Sequence, residues 1–197
     1  MSAVEALHAR LNLPLPAPLR EWDAEVAAWC DAYVDMHSRA ELSEINLGFA
    51  VFQFDHIAER VTLAYALSVP QLLTRNKSRM RGFPDVNVSV RAVLADHAFI
   101  ADRGHFLGHA SGGELDINLF PQRRELNRGW SAEGRRFRQI ERYVAAHPGC
   151  FFYHRPRYDD ASWIPASLEL GVLKPDGNWW RERFQNKNLP ASNRAEG

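Results

Sequence analysis

Hydrophobic positions in the first third of the chain recur with a helical period. After the proline-rich stretch 13–19, residues 20–42 place Trp22, Val26, Trp29, Tyr33 and Met36 three or four apart, which predicts one apolar helix face. Tryptophan and tyrosine at that spacing read as core material rather than as a ligand box. The period then changes. Residues 45–55 (INLGFAVFQFD) and 60–69 (RVTLAYALSV) are short and rich in β-branched and aromatic side chains, which predicts two strands joined by a turn at 55–59. Val86, Val88 and Val90 alternate with polar residues, as in a third, half-exposed strand, and the basic, turn-rich stretch before them reads as a surface loop. In 131–149, Phe137, Ile140, Tyr143 and Val144 form an apolar helical face that Pro148-Gly149 ends. Residues 150–158 and 166–173 read as strands, and 174–180 as a turn into a last strand at 179–184. No internal repeat is visible, and helices and strands are interspersed without βαβ alternation. That pattern predicts an α+β fold with a central antiparallel sheet and an N-terminal helix.

Composition narrows the class. The chain has 197 residues, 46% hydrophobic and 24% charged, so it is long enough for one well-filled core and unlike a disordered sequence. No run of 18 apolar residues occurs, so no transmembrane helix and no membrane partner is expected. The N-terminus carries Glu5 and lacks a long apolar core, so it does not read as a secretory signal. The expected location is the cytoplasm, or outside the cell by a route that needs no signal peptide. Cys30 and Cys150 lack CxxC spacing; two buried free thiols are expected, and a cysteine-based zinc site is excluded. The net charge of zero hides an asymmetry. Residues 1–70 hold four arginines and ten acids, whereas the remainder holds twenty basic and fourteen acidic residues. The expected organisation is an N-terminal segment 1–70 packed on a core at 71–186, with a polar, mobile tail from 187. Apart from Lys77, Lys174 and Lys187 the basic residues are arginines, which suit phosphate but also follow from GC-rich coding.

The chemistry concentrates in residues 100–130. His105 and His109 stand at i and i+4, but a zinc-protease helix needs Glu directly after the first His, where this chain has Phe106, and the nearby glycines oppose a regular helix. His105 as a general base fits better. Gly104 lets the backbone pass closely, Arg103 adds a fixed cation, and Asp102 is placed to orient the ring or to stabilise a neighbouring arginine. Phosphodiester hydrolysis near neutral pH needs such a base, a positive clamp on phosphate and a divalent metal for the departing oxygen.

Asp102-Arg103-Gly104-His105, Asn118-Leu119-Phe120-Pro121-Gln122 and Leu126-Asn127-Arg128-Gly129 follow in order within 28 residues. Together they resemble the DNA/RNA non-specific endonucleases with a DRGH motif, members of the ββα-metal (His-Me finger) superfamily. The resemblance is specific from about residue 75 to 145. It implies a ββα-metal catalytic motif, with His105 as general base on the first β-element. It implies Asn127, near the start of a helix, as the side-chain ligand of a single Mg²⁺ (Mn²⁺ substituting) that keeps most of its waters. Asn118 would hold the site together or position substrate, and Arg103 would contact the phosphate or its leaving group. The family's aromatic-x-x-x-Glu pattern is matched by Phe137 to Glu141, 14 residues after Asn127, which implies an insertion around 130–135. Glu133 competes with Glu141 for that place. Arg75, Arg79 and Arg81 are candidates for the family's upstream arginine.

Blander readings stand beside these. His105 would otherwise be a structural histidine in a glycine-rich turn, Asn118 a turn-former and Asn127 a helix N-cap. His109 is expected to pin its loop rather than touch metal. Glu114 and Asp116 read as exposed acids, and His97, His147 and His154 belong to no pattern. Arg135, Arg136, Arg138 and Arg142 form either a phosphate track or a solvated face.

The leading expectation is a Mg²⁺-dependent endonuclease acting on DNA, RNA or both. It would serve as an antibacterial toxin with an immunity or inhibitor protein as partner, or in scavenging or defence. The acidic N-terminal segment would then serve delivery, dimerisation or autoinhibition. A non-catalytic nucleic-acid-binding module and a phosphodiesterase of small substrates are the alternatives.

Overall fold

The structure, a computed structural model, describes residues 1–70, 101–113 and 116–187. The strand expected at 86–90, the loop before it, Arg75, Arg79, Arg81 and Glu114 lie outside the described residues. Helices α1 (Ala3–Arg10) and α2 (Trp22–Met36) precede strands β1 (Leu42–Asn46), β2 (Ala50–Asp55) and β3 (Arg60–Leu67). Next come the hairpin strands β4 (Ala101–His105) and β5 (Leu119–Arg123), helices α3 (Arg124–Asn127) and α4 (Ala132–Ala146), and strands β6 (Phe151–Arg157), β7 (Ser167–Leu173) and β8 (Trp179–Gln185). The described residues form an α+β fold. One antiparallel sheet has the strand order β1-β2-β3-β6-β7-β8, and β4-β5 is a separate two-stranded antiparallel unit.

Every residue of β3 is buried, so this strand has a covered layer on each face. Side-chain alternation sorts the layers. Leu63, Tyr65 and Leu67 join Val4, Leu7, Trp22, Phe151 and Tyr153 in a core beneath α1 and α2. Ala64 and Ala66 join Phe52, Phe106, Phe120, Phe137, Ile140, Val144 and Phe152 in a second core beneath the hairpin, α3 and α4. Trp22 centres the first, fully buried, with the rings of Trp29, Tyr65, Phe151, Tyr153 and Trp179 at 4.8–5.9 Å. Edge-to-face and offset aromatic pairs of this kind add about 0.5–1.5 kcal/mol each beyond burial.

Residues 1–70 therefore supply three strands of the common sheet, and β3 pairs directly with β6. Four local details differ from the sequence reading. Residues 45–55 are two strands, because Gly48 takes φ +78° and its N–H bonds Asn46 Oδ1, closing a turn between β1 and β2. Met36, the last residue of α2, is 56% exposed, so the apolar face ends at Tyr33. Cys30 and Cys150 are free but half-buried. Lys187, read as the first residue of the tail, is buried and its ammonium bonds Asp159 at 2.6 Å and Asp160 at 2.7 Å.

His154 links the sheet to the hairpin. On β6 it lies among Phe106, Phe120 and Phe137, and its Nδ1 sits 2.6 Å from the Phe106 carbonyl, which fixes Nδ1–H as the donor. Burial lowers its pKa from 6.5 to about 4, against the opposing pull of the Phe106 bond. The unfolded chain binds the extra proton between these values, so the stability contributed by the neutral ring is complete above pH 6.5. It declines as pH falls and is lost by about pH 4. The full swing is on the order of 3 kcal/mol. His154→Asn keeps a donor near the Nδ1 position but cannot titrate. Urea denaturation from pH 7 to 4 should therefore show a less stable variant whose loss on acidification is smaller than that of the parent chain.

Candidate active site

The hairpin sets the orientation of its side chains. In its register Asp102 faces Gln122, Gly104 faces Phe120, Arg103 faces Pro121 and His105 faces Leu119. Directly opposed residues share a face, so Arg103 and His105 lie on one side of the hairpin and Asp102 and Gly104 on the other. On that second side a Cβ at position 104 would lie 2.5 Å from Gln122 Oε1 and 3.0 Å from Phe120, so the strand accepts only glycine there. Phe120 stacks on Phe106 at 4.4 Å beneath it. The half-buried His105 thus stands at the end of a strand whose reverse side is packed into the core.

Asp102 departs from one of its expected roles. It faces away from His105, and its carboxylate binds two cations of the following helix: Arg124 Nε at 2.9 Å, and Arg128 through Nε at 2.5 Å and Nη2 at 3.2 Å. Burial alone would raise its pKa, but the bonds from Arg128 and Arg124 outweigh it and hold the carboxyl below the usual range. These bonds fasten β4 to α3, which continues β5 without a break and completes a β-β-α unit.

Asn127 is the last residue of α3 and half-buried. It is neither at the start of the long helix nor an N-cap; Ser131 caps α4 by accepting from Gly134 N at 2.9 Å. The two helices are separated by the turn 128–131; of the stretch 130–135, where an insertion was expected, residues 132–135 are the first turn of α4.

The loop between the strands is closed by Asn118. Its Oδ1 accepts from Leu107 N and its Nδ2 donates to Leu107 O, both at 2.8 Å, while its carbonyl accepts from Phe106 N at 3.0 Å. A buried carboxamide here satisfies a strand-like pair of backbone groups next to His105. His109 Nδ1 lies 3.4 Å from Gly113 O within the same loop.

The two candidate acids are separated. Glu133 binds Arg123 and accepts from Gln185 N at 2.6 Å, joining β5 to the end of β8. Glu141 pairs with Arg138 at 2.8 Å and lies against Gly108, where a Cβ would stand 3.9 Å from Oε1. Burial raises the Glu141 pKa against the pull of Arg138. It sits seven residues beyond Gly134, roughly 10 Å along the helix from the junction with α3.

Asn186 was not foreseen. Fully buried, it accepts from Arg123 N at 2.8 Å and donates to Pro121 O at 3.0 Å and Pro165 O at 2.9 Å, so it completes the free edge of β5. A lone polar residue after a strand gives no sequence signal for such a bond.

Among the described residues no three His, Cys, Asp or Glu side chains gather as a metal cage. Asn127, the residue expected to hold an ion, offers a neutral carboxamide oxygen. It suits a hard cation that keeps most of its water. No described helix is long and apolar enough to cross a membrane.

No family model and no curated protein matches the chain. Solved structures similar to it include the Sda1 nuclease with bound zinc ion, at 17% identity and TM-score 0.37, covering 46% of this chain and 40% of that one. An extracellular nuclease is similar at 14% identity and TM-score 0.42, covering 78% of this chain and 90% of that one. An extracellular endonuclease is similar at 15% and 0.43, with 78% and 81% covered. The chain thus spans less than half the length of the Sda1 nuclease structure.

Removing the Asn118 side chain leaves the Leu107 N–H and C=O unpaired in a buried site, at about 1–3 kcal/mol for each orphaned group. Asn118→Ala is expected to lower stability by about 2–6 kcal/mol in urea denaturation. Loss of amide-exchange protection should centre on Phe106 and Leu107.

Proposed function

We propose that the chain is a Mg²⁺-dependent endonuclease that hydrolyses DNA, RNA or both with little sequence preference. The observation that carries this reading is the Asp102 bridge, which fastens the strand bearing Arg103 and His105 to the helix bearing Asn127. Every side chain that phosphodiester hydrolysis asks for then belongs to one β-β-α unit: a base, a fixed cation and an oxygen donor for a metal.

His105 takes the proton from a water molecule as its oxygen forms the new bond to phosphorus. The P–O3′ bond breaks, the 3′-oxygen leaves and acquires a proton from solvent, and the product carries a 5′-phosphate. Arg103, on the same face of the hairpin as His105, offsets charge on the phosphate oxygens. Asn127 would hold Mg²⁺ through its carboxamide oxygen; when bound, the ion stabilises the negative charge on the departing oxygen. Asn118 fixes the backbone that follows His105 and so its direction.

The test incubates the purified chain with supercoiled plasmid and with structured RNA, in Mg²⁺, in Mn²⁺ or in EDTA. Cutting should require the ion. It should fall by a factor of about 10²–10⁴ in His105→Ala, the range for loss of a general base. Asn127→Ala should raise the metal concentration needed for half-maximal rate. Folded wild-type chain that cuts neither substrate with either ion would overturn the proposal.

A further inference from the structure

We propose that Trp130 is a stacking platform for an unpaired nucleobase, which gives the chain a preference for single-stranded over duplex nucleic acid. The inference rests on the nuclease reading above and adds the form of substrate.

Trp130 is 61% exposed, while the other five tryptophans are buried or half-buried. Burial would remove a large apolar area from water, so an indole kept in solvent calls for a reason. The residue is well anchored. Its N–H bonds Glu125 O at 2.9 Å, and the preceding turn is closed by Arg128 N to Arg124 O at 2.9 Å and Gly129 N to Leu126 O at 3.2 Å. Gly129 takes φ +71°, a conformation that places Trp130 three residues beyond Asn127 on the outside of the junction between α3 and α4. The Arg128 guanidinium lies 5.0 Å from the indole centroid and is itself held by Asp102. A rigid indole polarised by a fixed cation is preorganised for a second π-system on its open part.

The neighbours decide which partner fits. A docking protein would ask for an apolar rim, but Trp130 is flanked by the exposed cations Arg128 and Arg138, the stem of the latter packing over Gly129. An aromatic face inside an arginine-rich rim suits a polyanion whose bases carry π-faces. In a duplex the base faces are already stacked on each other, so only an unpaired nucleotide can use the platform.

The test uses the full chain as His105→Ala, with Mg²⁺ present, so that bound substrate is not cut. Fluorescence anisotropy measures its affinity for a labelled single strand and for a duplex of the same sequence. Adding Trp130→Ala should lower the single-strand affinity about tenfold, and the ratio of single-strand to duplex affinity should fall by nearly as much. Trp130→Phe should retain most of that ratio. Thermal melting confirms that both variants fold, as expected for an exposed site. An unchanged ratio, or equal losses on both substrates, overturns the platform while leaving the nuclease reading intact if the wild-type chain cuts. A wild-type chain that neither binds nor cuts either form overturns both.

Discussion

The burial of β3 on both faces is the constraint from which the rest of the architecture follows. A central strand with no solvent face needs apolar cover above and below, and its neighbours must repeat the same alternation. One cover is supplied by α1 and α2 around Trp22. The other is supplied by the hairpin, α3 and α4 around Phe106, Phe120 and Phe137. The hairpin that carries the candidate site therefore has one face, that of Gly104 and Phe120, set in the core. Its rigidity is inherited from aromatic packing rather than built by polar contacts alone. His154 sits on that boundary: its ring belongs to the core, yet its N–H bonds the carbonyl of Phe106, the residue after His105. That bond lets the β6 strand hold the end of β4, while burial among the aromatic rings is what keeps the imidazole neutral.

Asp102 plays the corresponding part on the outer side. It brings one negative charge to the two positive charges of Arg124 and Arg128, and Glu125 in the same short helix offsets the other. Among the described residues no cluster of acids gathers as a metal cage around this bridge.

Much of this could be read from the chain because it is local. The helical spacing of Trp22, Val26 and Tyr33, and of Phe137, Ile140 and Val144, located α2 and α4, and the short strand-like runs at 150–158, 166–173 and 179–184 located β6 to β8. What escaped depends on backbone geometry or on distant partners. Gly48 breaks residues 45–55 by adopting a left-handed conformation, which composition alone does not announce. The ligands of Asp102 lie 22 and 26 residues away, and Asn186 bonds residues 63 and 65 positions earlier. The aromatic-x-x-x-Glu spacing favoured Glu141 over Glu133 but could not show their partners: Glu133 ties β5 to β8, and Glu141 pairs with Arg138.

The break between α3 and α4 shows how backbone contact fixes the direction in which functional residues point. A Cβ at Gly134 would stand 2.3 Å from the Glu125 carbonyl oxygen and 3.0 Å from Gly129 Cα, so the two helices meet main chain to main chain. That approach leaves the chain a single short turn in which to reverse. Gly129 makes the reversal, and the Glu125 carbonyl that crowds Gly134 also receives the Trp130 N–H. Asn127 is thus presented at the end of one helix turn by contacts that involve no side chain of its own. A larger residue at 134 would push the helices apart and shift Asn127 and Trp130 together, because both are referred to the same carbonyl-lined junction.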